Sequence, residues 1–215
     1  MTRRMGIKPV EGHQFQFTKN WFLNRNLSTF RELVLPAWEG KPITYLELGV
    51  FEGMSMTWML QHVLTHPDAR GVGVDPWLMS TKISGEKMEQ VMRRAHQNIE
   101  PWTGVFRNKC TLIRGNSAEV LRLMLKNRYG YCGIEKGSVD LCMVDGDHNE
   151  LGVLDDCRLV WQLLKPGGWM LCDDVENDKL KEHHVKQGLQ MFLAETPEAE
   201  MLWKHEYVEC YRKVI

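Results

Sequence analysis

Hydrophobic positions along the chain follow two alternating periods. Short apolar runs lie at ITYLELG (43–49), RGVGVD (70–75), CTLIRG (110–115), VDLCMVD (139–145) and GWMLCDD (168–174), and each reads as a buried strand. Between them the spacing becomes helical. Met88, Val91, Met92, Ala95 and Ile99 share one face of a helix over 86–99, and Val153, Cys157, Val160 and Leu164 share one over 150–164. KPGG (165–168) is expected to stop the second of these helices. Residues 53–65 and 117–127 read as further helices, and Val185, Leu189, Phe192 and Leu193 mark another. The runs MLWKHE and YVECYRKV suit a final hairpin, and Thr29 with Glu32 fits a capping box for a helix over about 30–38.

Strands that alternate with helices predict an α/β fold, a single doubly wound Rossmann-like domain with helices on both faces of a parallel sheet. Ligands of such sheets bind off the carboxyl ends of the strands, where strand order reverses. The residues at those ends are therefore the candidates. The first strand ends in Glu47 and Gly49, the second in Asp75, and the third in Gly115 followed by Asn116 and Ser117. The fourth ends in Asp145 and the fifth in Asp173 and Asp174. Polar residues and glycines gather at one rim, where chance would scatter them over both.

Composition narrows the function classes. The 215 residues are 43% hydrophobic and 26% charged, enough for one domain with a full core. A net charge of −1 creates no global field for nucleic acid or anionic membrane, and neither is expected as a partner. The basic opening MTRRMGIKPVEG has no apolar stretch behind it, and no window holds 18 uninterrupted apolar residues. A signal peptide and a membrane span are thus not expected, and a cytoplasmic location is. Cys110, Cys132, Cys142, Cys157, Cys172 and Cys210 form no CxxC pair and are expected as reduced core residues.

ELGVFEGMS (47–55) reads as a strand, a glycine turn and a helix start, in which Gly49 and Gly53 let the backbone come close to a ligand. The spacing is GxxxG, not the GxGxxG that a pyrophosphate requires. Asp75, at the end of the next strand, can accept both hydroxyls of a ribose. The same residues also suit a plain tight turn and a helix cap.

With these motifs the sequence resembles the class I S-adenosylmethionine-dependent methyltransferases, and among them the small metal-dependent O-methyltransferases, with catechol, caffeoyl-CoA and macrolide-sugar enzymes as relatives. LELGVFEGMS, VGVDPW, IRGNSAEVL and VDGDH…LLKPGGWMLCDD carry the resemblance, in order, over about residues 40–175. It implies a mostly parallel seven-stranded sheet whose last strand is antiparallel. It also implies that Glu47, Gly49, Gly53 and Ser55 line the methionine end of the cofactor, that Asp75 binds its ribose, and that Asn116 and Ser117 lie near its adenine. Asp145 would border both cofactor and metal.

VDGDHNELGVLDD (144–156) packs acids and a histidine around a glycine directly after a strand. Neighbouring parallel strands in register would bring Asp145 to Asp173 and Asp174. Three carboxylates in one small space cannot all ionise without a cation, and a hard divalent ion, Mg²⁺ or Mn²⁺, answers them. The resemblance implies the same three ligands. Some relatives carry Asp-Asn at the last two positions; this chain has Asp-Asp, as the macrolide-sugar enzymes do. His148, three residues after Asp145, is placed to act as general base on an acceptor hydroxyl. A solvated turn is the plain alternative, and Asp147 is expected to point to solvent.

The expected activity is therefore S-adenosylmethionine- and metal-dependent O-methyl transfer to a hydroxyl of a sugar- or phenol-like small molecule. A nicotinamide-dependent oxidoreductase and a non-catalytic cofactor-binding module are the alternatives. Residues 1–40, with Phe15, Phe17, Trp21 and Phe22, read as an aromatic leader ahead of the 41–215 domain, serving as packing, a lid or an oligomer contact, so a homo-oligomer is possible on sequence grounds. Trp77 either covers the adenine or plugs the core. His62, His66, His96, His183, His184 and His205 are expected outside the site. Segments 76–86 and 175–182, with the leader, are where acceptor specificity is expected.

Overall fold

Strand β1, Thr44–Leu48, is buried along its whole length and lies between two parallel partners, β2 (Arg70–Asp75) and β4 (Val139–Val144). This is the computed structural model of the chain, and it describes residues 6–78, 85–103, 108–126, 132–176 and 184–215. With β3 (Cys110–Arg114), β5 (Leu164–Cys172), β6 (Ala199–His205) and β7 (Val208–Lys213) these strands form one seven-stranded sheet in the order β3-β2-β1-β4-β5-β7-β6. The first five are parallel, and β7 pairs antiparallel with both β5 and β6. Strand order reverses at β1, whose neighbours are β2 on one side and β4 on the other, so a ligand crevice is expected beyond its carboxyl end.

The two-residue period of β1 decides its faces. Leu46 and Leu48 join Cys142, Val144, Cys157 and Val160 under α6 (Ser117–Leu125), α7 (Glu150–Leu163) and α8 (His184–Glu195). Tyr45 joins Leu141, Met143 and Trp58 under α4 (Met54–His62). Helix α5 (Gly85–Ile99) adds Met88, Val91 and Ala95 around Trp77 and Val50. Both faces are covered, which is why the strands are near-continuous apolar runs. All six cysteines are free and buried in this packing.

One sequence expectation needs correction. Thr29 does not cap a helix. The leader is helical from Trp21: α1 (Trp21–Arg25), α2 (Leu27–Thr29), a π-helical turn at Phe30–Val34, and α3 (Leu35–Trp38). Thr29 has helical dihedrals, and its hydroxyl bonds His205 Nδ1 at 2.7 Å, a tertiary contact that local spacing could not reveal. The helix before KPGG stops where expected, but KPGG itself is not a loop. Helix α7 ends at Leu163 because Leu164 is already extended, and Lys165-Pro166-Gly167-Gly168 lies inside β5. A register shift between Val139 and Leu141 accommodates it.

Gly49 fixes how closely β1 and β4 approach. Its φ is +85°, and a Cβ there would stand 1.8 Å from the Asp145 carbonyl oxygen. Strand β1 continues into a hydrogen bond from Gly49 N–H to Val74 O at 2.9 Å, and β4 into one from Asp145 N–H to Leu48 O at 3.0 Å. The glycine thus serves the meeting of two strand ends. Gly49→Ala should lower unfolding stability by roughly 2–5 kcal/mol, from steric overlap and the left-handed backbone. Urea denaturation would read this, and an unchanged midpoint would mean that the two strand ends do not approach so closely.

Candidate active site

The cofactor side is built on the turn that leaves β1. Gly53, with φ +74°, stands just before α4 and aims the helix back along the sheet. Asp75 closes β2, and its carboxylate ties the turn together. Oδ2 accepts the Phe51 N–H at 2.9 Å and Oδ1 the Trp77 N–H at 2.7 Å. Burial raises the Asp75 pKa, and these backbone donors oppose the rise. Trp77 is 1% exposed, donates its indole N–H to Phe51 O at 2.9 Å and packs against α5, so it plugs the core.

Glu47 lies on the same face of β1 as Tyr45 and is fully buried. Tyr45 Oη donates to Glu47 Oε2 at 2.7 Å, and Ser55 Oγ, from the first turn of α4, donates to Oε1 at 2.6 Å. Desolvation dominates, and the carboxyl is pushed from 4.5 to about 7 despite these two donors. Across the rim, Asn116 caps α6 by accepting the Glu119 N–H. Ser117 interacts with Asp156, a 1% exposed acid of α7 that also meets the Asp147 backbone and is pushed to about 6 by burial.

The acidic side is assembled from two adjacent strand ends. Val144 of β4 pairs with Cys172 of β5, so Asp145 and Asp173 follow side by side. His148 Nε2 lies 3.5 Å from Asp145 Oδ1 and 3.3 Å from Asp174 Oδ2. One ligand atom from each of Asp145, His148 and Asp174 lies within 4.8 Å of the others. Asp173 stands apart from that trio. It is 7% exposed, with Oδ2 accepting Asn26 Nδ2–H at 2.6 Å and Oδ1 accepting the Asp174 N–H at 2.8 Å. Arg25 Nη1 contacts Asp174 Oδ1 at 3.1 Å.

Charge explains the titration of this group. The hydrogen bonds to Asp145 and Asp174 push the half-exposed His148 up to about 10 against partial desolvation. Burial raises Asp145, with the imidazole opposing, and burial followed by repulsion from Asp145 and Asp174 pushes Asp173 to about 8. Asp147 is exposed, as expected, and accepts the Asn149 N–H at 2.9 Å.

Of the sequence candidates, Glu47 and Ser55 meet one another, Gly49 abuts Asp145, and Asp145, His148 and Asp174 converge. Sequence reasoning missed Arg25, which ends α1, and Asn26, which joins α1 to α2, because the leader carries no motif there. It also missed Tyr45 and Asp156, which read as ordinary core and surface positions. His62 bonds Gly6 O, His96 lies against Trp77, and His205 holds Thr29. His183 and segments 79–84 and 177–182 lie outside the described residues.

Glu47 gives a pH test. Its pKa is raised on folding, so its contribution to stability is full below about 4.5 and is lost as pH rises through about 7. Glu47→Gln keeps the Tyr45 and Ser55 contacts without the charge. The wild-type stability should fall relative to this variant by up to about 3 kcal/mol from pH 4.5 to pH 7, measured by urea unfolding at each pH. A constant difference across that window would mean that Glu47 ionises normally.

Comparisons with known proteins agree on the fold. A solved structure of a candidate O-methyltransferase from Klebsiella pneumoniae superposes with a TM-score of 0.55 at 18% identity, over 80% of this chain and 73% of that one. MycE methyltransferase of the mycinamycin biosynthetic pathway, solved with Mg, SAH and mycinamycin VI, gives 0.55 at 16% identity. This chain covers 50% of its length, and 93% of this chain is matched. Fibrillarin from Aeropyrum pernix, solved with natively bound S-adenosyl-L-methionine, gives 0.53 at 18% identity over 82% and 68% of the two chains. Among curated proteins, an uncharacterized protein of Acanthamoeba polyphaga mimivirus is 23% identical over 181 residues, 80% of this chain and 70% of its own. The sequence profile of the methyltransferase domain matches residues 46–175, which run from β1 to just beyond β5 and take in both halves of the site. The chain belongs to this methyltransferase domain family.

Proposed function

We propose that the chain transfers a methyl group from S-adenosylmethionine to a hydroxyl oxygen of a sugar- or phenol-like small molecule, with a divalent cation, Mg²⁺ or Mn²⁺, in the site. The observation that carries this reading is the convergence of Asp145, His148 and Asp174 at the switch point, with only β1 between Asp145 and Asp75. The near-neutral net charge of −1 favours a small acceptor over nucleic acid.

A cation fits the residues present. The carboxylates of Asp145 and Asp174 offer oxygen atoms within 4.8 Å of each other, with Asp173 following Cys172 on the adjacent strand, and such oxygens are the donors that Mg²⁺ and Mn²⁺ take, which leaves His148 Nε2 to accept a proton. Beside them Asp173 is buried, and Asn26 Oδ1 is buried without a partner. A solvated polar turn has neither feature. A cation bound there supplies the positive charge that these acids lack and lowers the pKa of a hydroxyl it binds.

The chain's own residues do the rest. Asp75 accepts the ribose hydroxyls on lone pairs that its backbone donors leave free. Glu47, held by Tyr45 and Ser55, suits the ammonium of the methionine end. Asn116 and Ser117 flank the adenine. His148 takes the acceptor's proton at Nε2. The two acids beside it hold its own proton up to about pH 10, so it serves as a base once another positive charge answers them. The alternative of a nicotinamide oxidoreductase loses its support with the family assignment. A non-catalytic module has no use for three acids held together.

Calorimetry should show S-adenosylmethionine binding to the wild type, weakened by roughly 1.5–3 kcal/mol in Asp75→Ala. Equal affinity in both would remove the ribose role, and binding in neither would remove the cofactor.

With a panel of catechol and sugar acceptors, turnover should stop in chelator and return with Mg²⁺ or Mn²⁺. His148→Ala should lower kcat by about 10²–10⁴ and leave cofactor affinity unchanged. Full turnover in chelator would remove the cation from the reaction, and a wild-type kcat in the variant would make His148 structural.

A further inference from the structure

We propose that the leader helix is a working part of the acidic site, and that Asn26 is a positioning residue that sets the orientation of Asp173 for cation binding. The inference rests on the cation reading above and extends it to a residue outside the matched methyltransferase domain, residues 46–175.

Asn26 and Asp173 lie 147 positions apart in the chain, yet the amide Nδ2 meets Asp173 Oδ2 at 2.6 Å in a buried contact. The other Asp173 oxygen is fixed by the Asp174 N–H at 2.8 Å. Two donors from two directions leave the carboxylate one orientation. Asn26 is 5% exposed, and its Oδ1 has no partner. Packing alone does not explain an amide at this place, because leucine would fill a similar volume without stranding a polar atom. The donor fits what an acid beside a cation needs: an N–H on one oxygen fixes the plane of the carboxylate and so the direction of its remaining lone pairs.

The leader segment around Asn26, which joins α1 to α2, is held firmly enough for this role. Thr18 ahead of it donates N–H and Oγ–H to the two oxygens of buried Glu52, at 2.6 and 2.8 Å. Gln16 exchanges two backbone hydrogen bonds with the Asn98 side chain, at 2.7 and 3.0 Å. Phe22 and Phe30 pack on Trp58, and Thr29 bonds His205. The neighbouring Arg25 takes Asp174 Oδ1, leaving Oδ2 toward His148. Two consecutive leader residues thus hold the two consecutive acids that close β5.

The test is Mn²⁺ titration of the full chain by electron paramagnetic resonance, with S-adenosylmethionine affinity and thermal melting measured on the same samples. Asn26→Leu should weaken Mn²⁺ binding by about 10–100-fold, the usual effect of removing a group that orients a ligand, while cofactor affinity stays within about twofold. Asn26→Ala provides the same reading if the leucine variant does not fold. In an Asp173→Asn background, Asn26→Leu should add no further loss, because the route through Asp173 is already gone. Wild-type Mn²⁺ affinity in the Asn26 variants would overturn the inference and leave the cation reading intact. So would an added loss in the Asp173→Asn background. A wild-type chain that binds no Mn²⁺ would overturn the cation reading, and this inference with it.

Discussion

Repulsion among carboxylates at the ends of β4 and β5 sets the terms for the surrounding structure. Two unit charges 4.8 Å apart, the outer limit for the ligand atoms of Asp145 and Asp174, repel by roughly 3–4 kcal/mol at an effective dielectric of 20. Asp173, beside them and almost fully buried, adds to this. The protein answers with parts from several elements. His148 stands between Asp145 and Asp174, Arg25 contacts the far oxygen of Asp174, and Asn26 donates to Asp173. Asp173 itself holds a proton up to about pH 8. Each answer is partial, and the four side chains share the load.

That crowding follows from the topology. Parallel pairing of Val144 with Cys172 puts the residues after them side by side, and the Asp173 N–H continues the ladder to Val144 O at 3.1 Å. On the other side β1 approaches β4 so closely that only glycine fits at position 49. The strand ends therefore crowd at the switch point, where Glu47 of β1, Asp75 at the end of β2 and Asp145 just past β4 lie near enough to act on one another. Mutual repulsion links the halves: Asp145 and Asp75 both act to raise Glu47, and Asp75 acts to raise Asp145.

Much of this was legible in the sequence. Period-two and period-3.6 runs marked β1 to β5 and the helices between them. The acids at the strand ends needed only the rule that parallel strands share one carboxyl rim. What was hidden depends on contacts between residues far apart in the chain. Thr29 looked like a cap because Glu32 follows three residues later, but its hydroxyl is used by His205 from the other end of the molecule. Asn26 and Arg25 carry no local pattern, since their partners are 147 and 149 positions away. KPGG marked the end of α7 correctly, but its inclusion in β5 rests on the irregular pairing with β4, which local composition does not show. His148 was found by its offset from Asp145, but its second carboxylate, Asp174, comes from the next strand.

The acids also explain the backbone around the site. Among the described residues, four non-glycines have positive φ, and three of them, Phe51, Trp77 and Asp174, lie at the carboxyl rim. Such backbones cost about 1–3 kcal/mol each and persist where their surroundings hold them. In all three cases the holding contact is a carboxylate accepting the strained residue's own N–H: Asp75 for Phe51 and Trp77, and Asp173 for Asp174. The same side chains are the candidates for ribose and cation contacts. A ligand that draws on these oxygens therefore also acts on the turn that each one pins, so binding and the shape of the rim are coupled through two residues, Asp75 on the cofactor side and Asp173 on the acidic side. The coupling is uneven. Asp75 holds two strained residues, Phe51 in the turn between β1 and α4 and Trp77 just past β2, whereas Asp173 holds one and is itself held by Asn26. The cofactor side is thus fixed within the matched domain, and the acidic side depends on the leader for its final geometry.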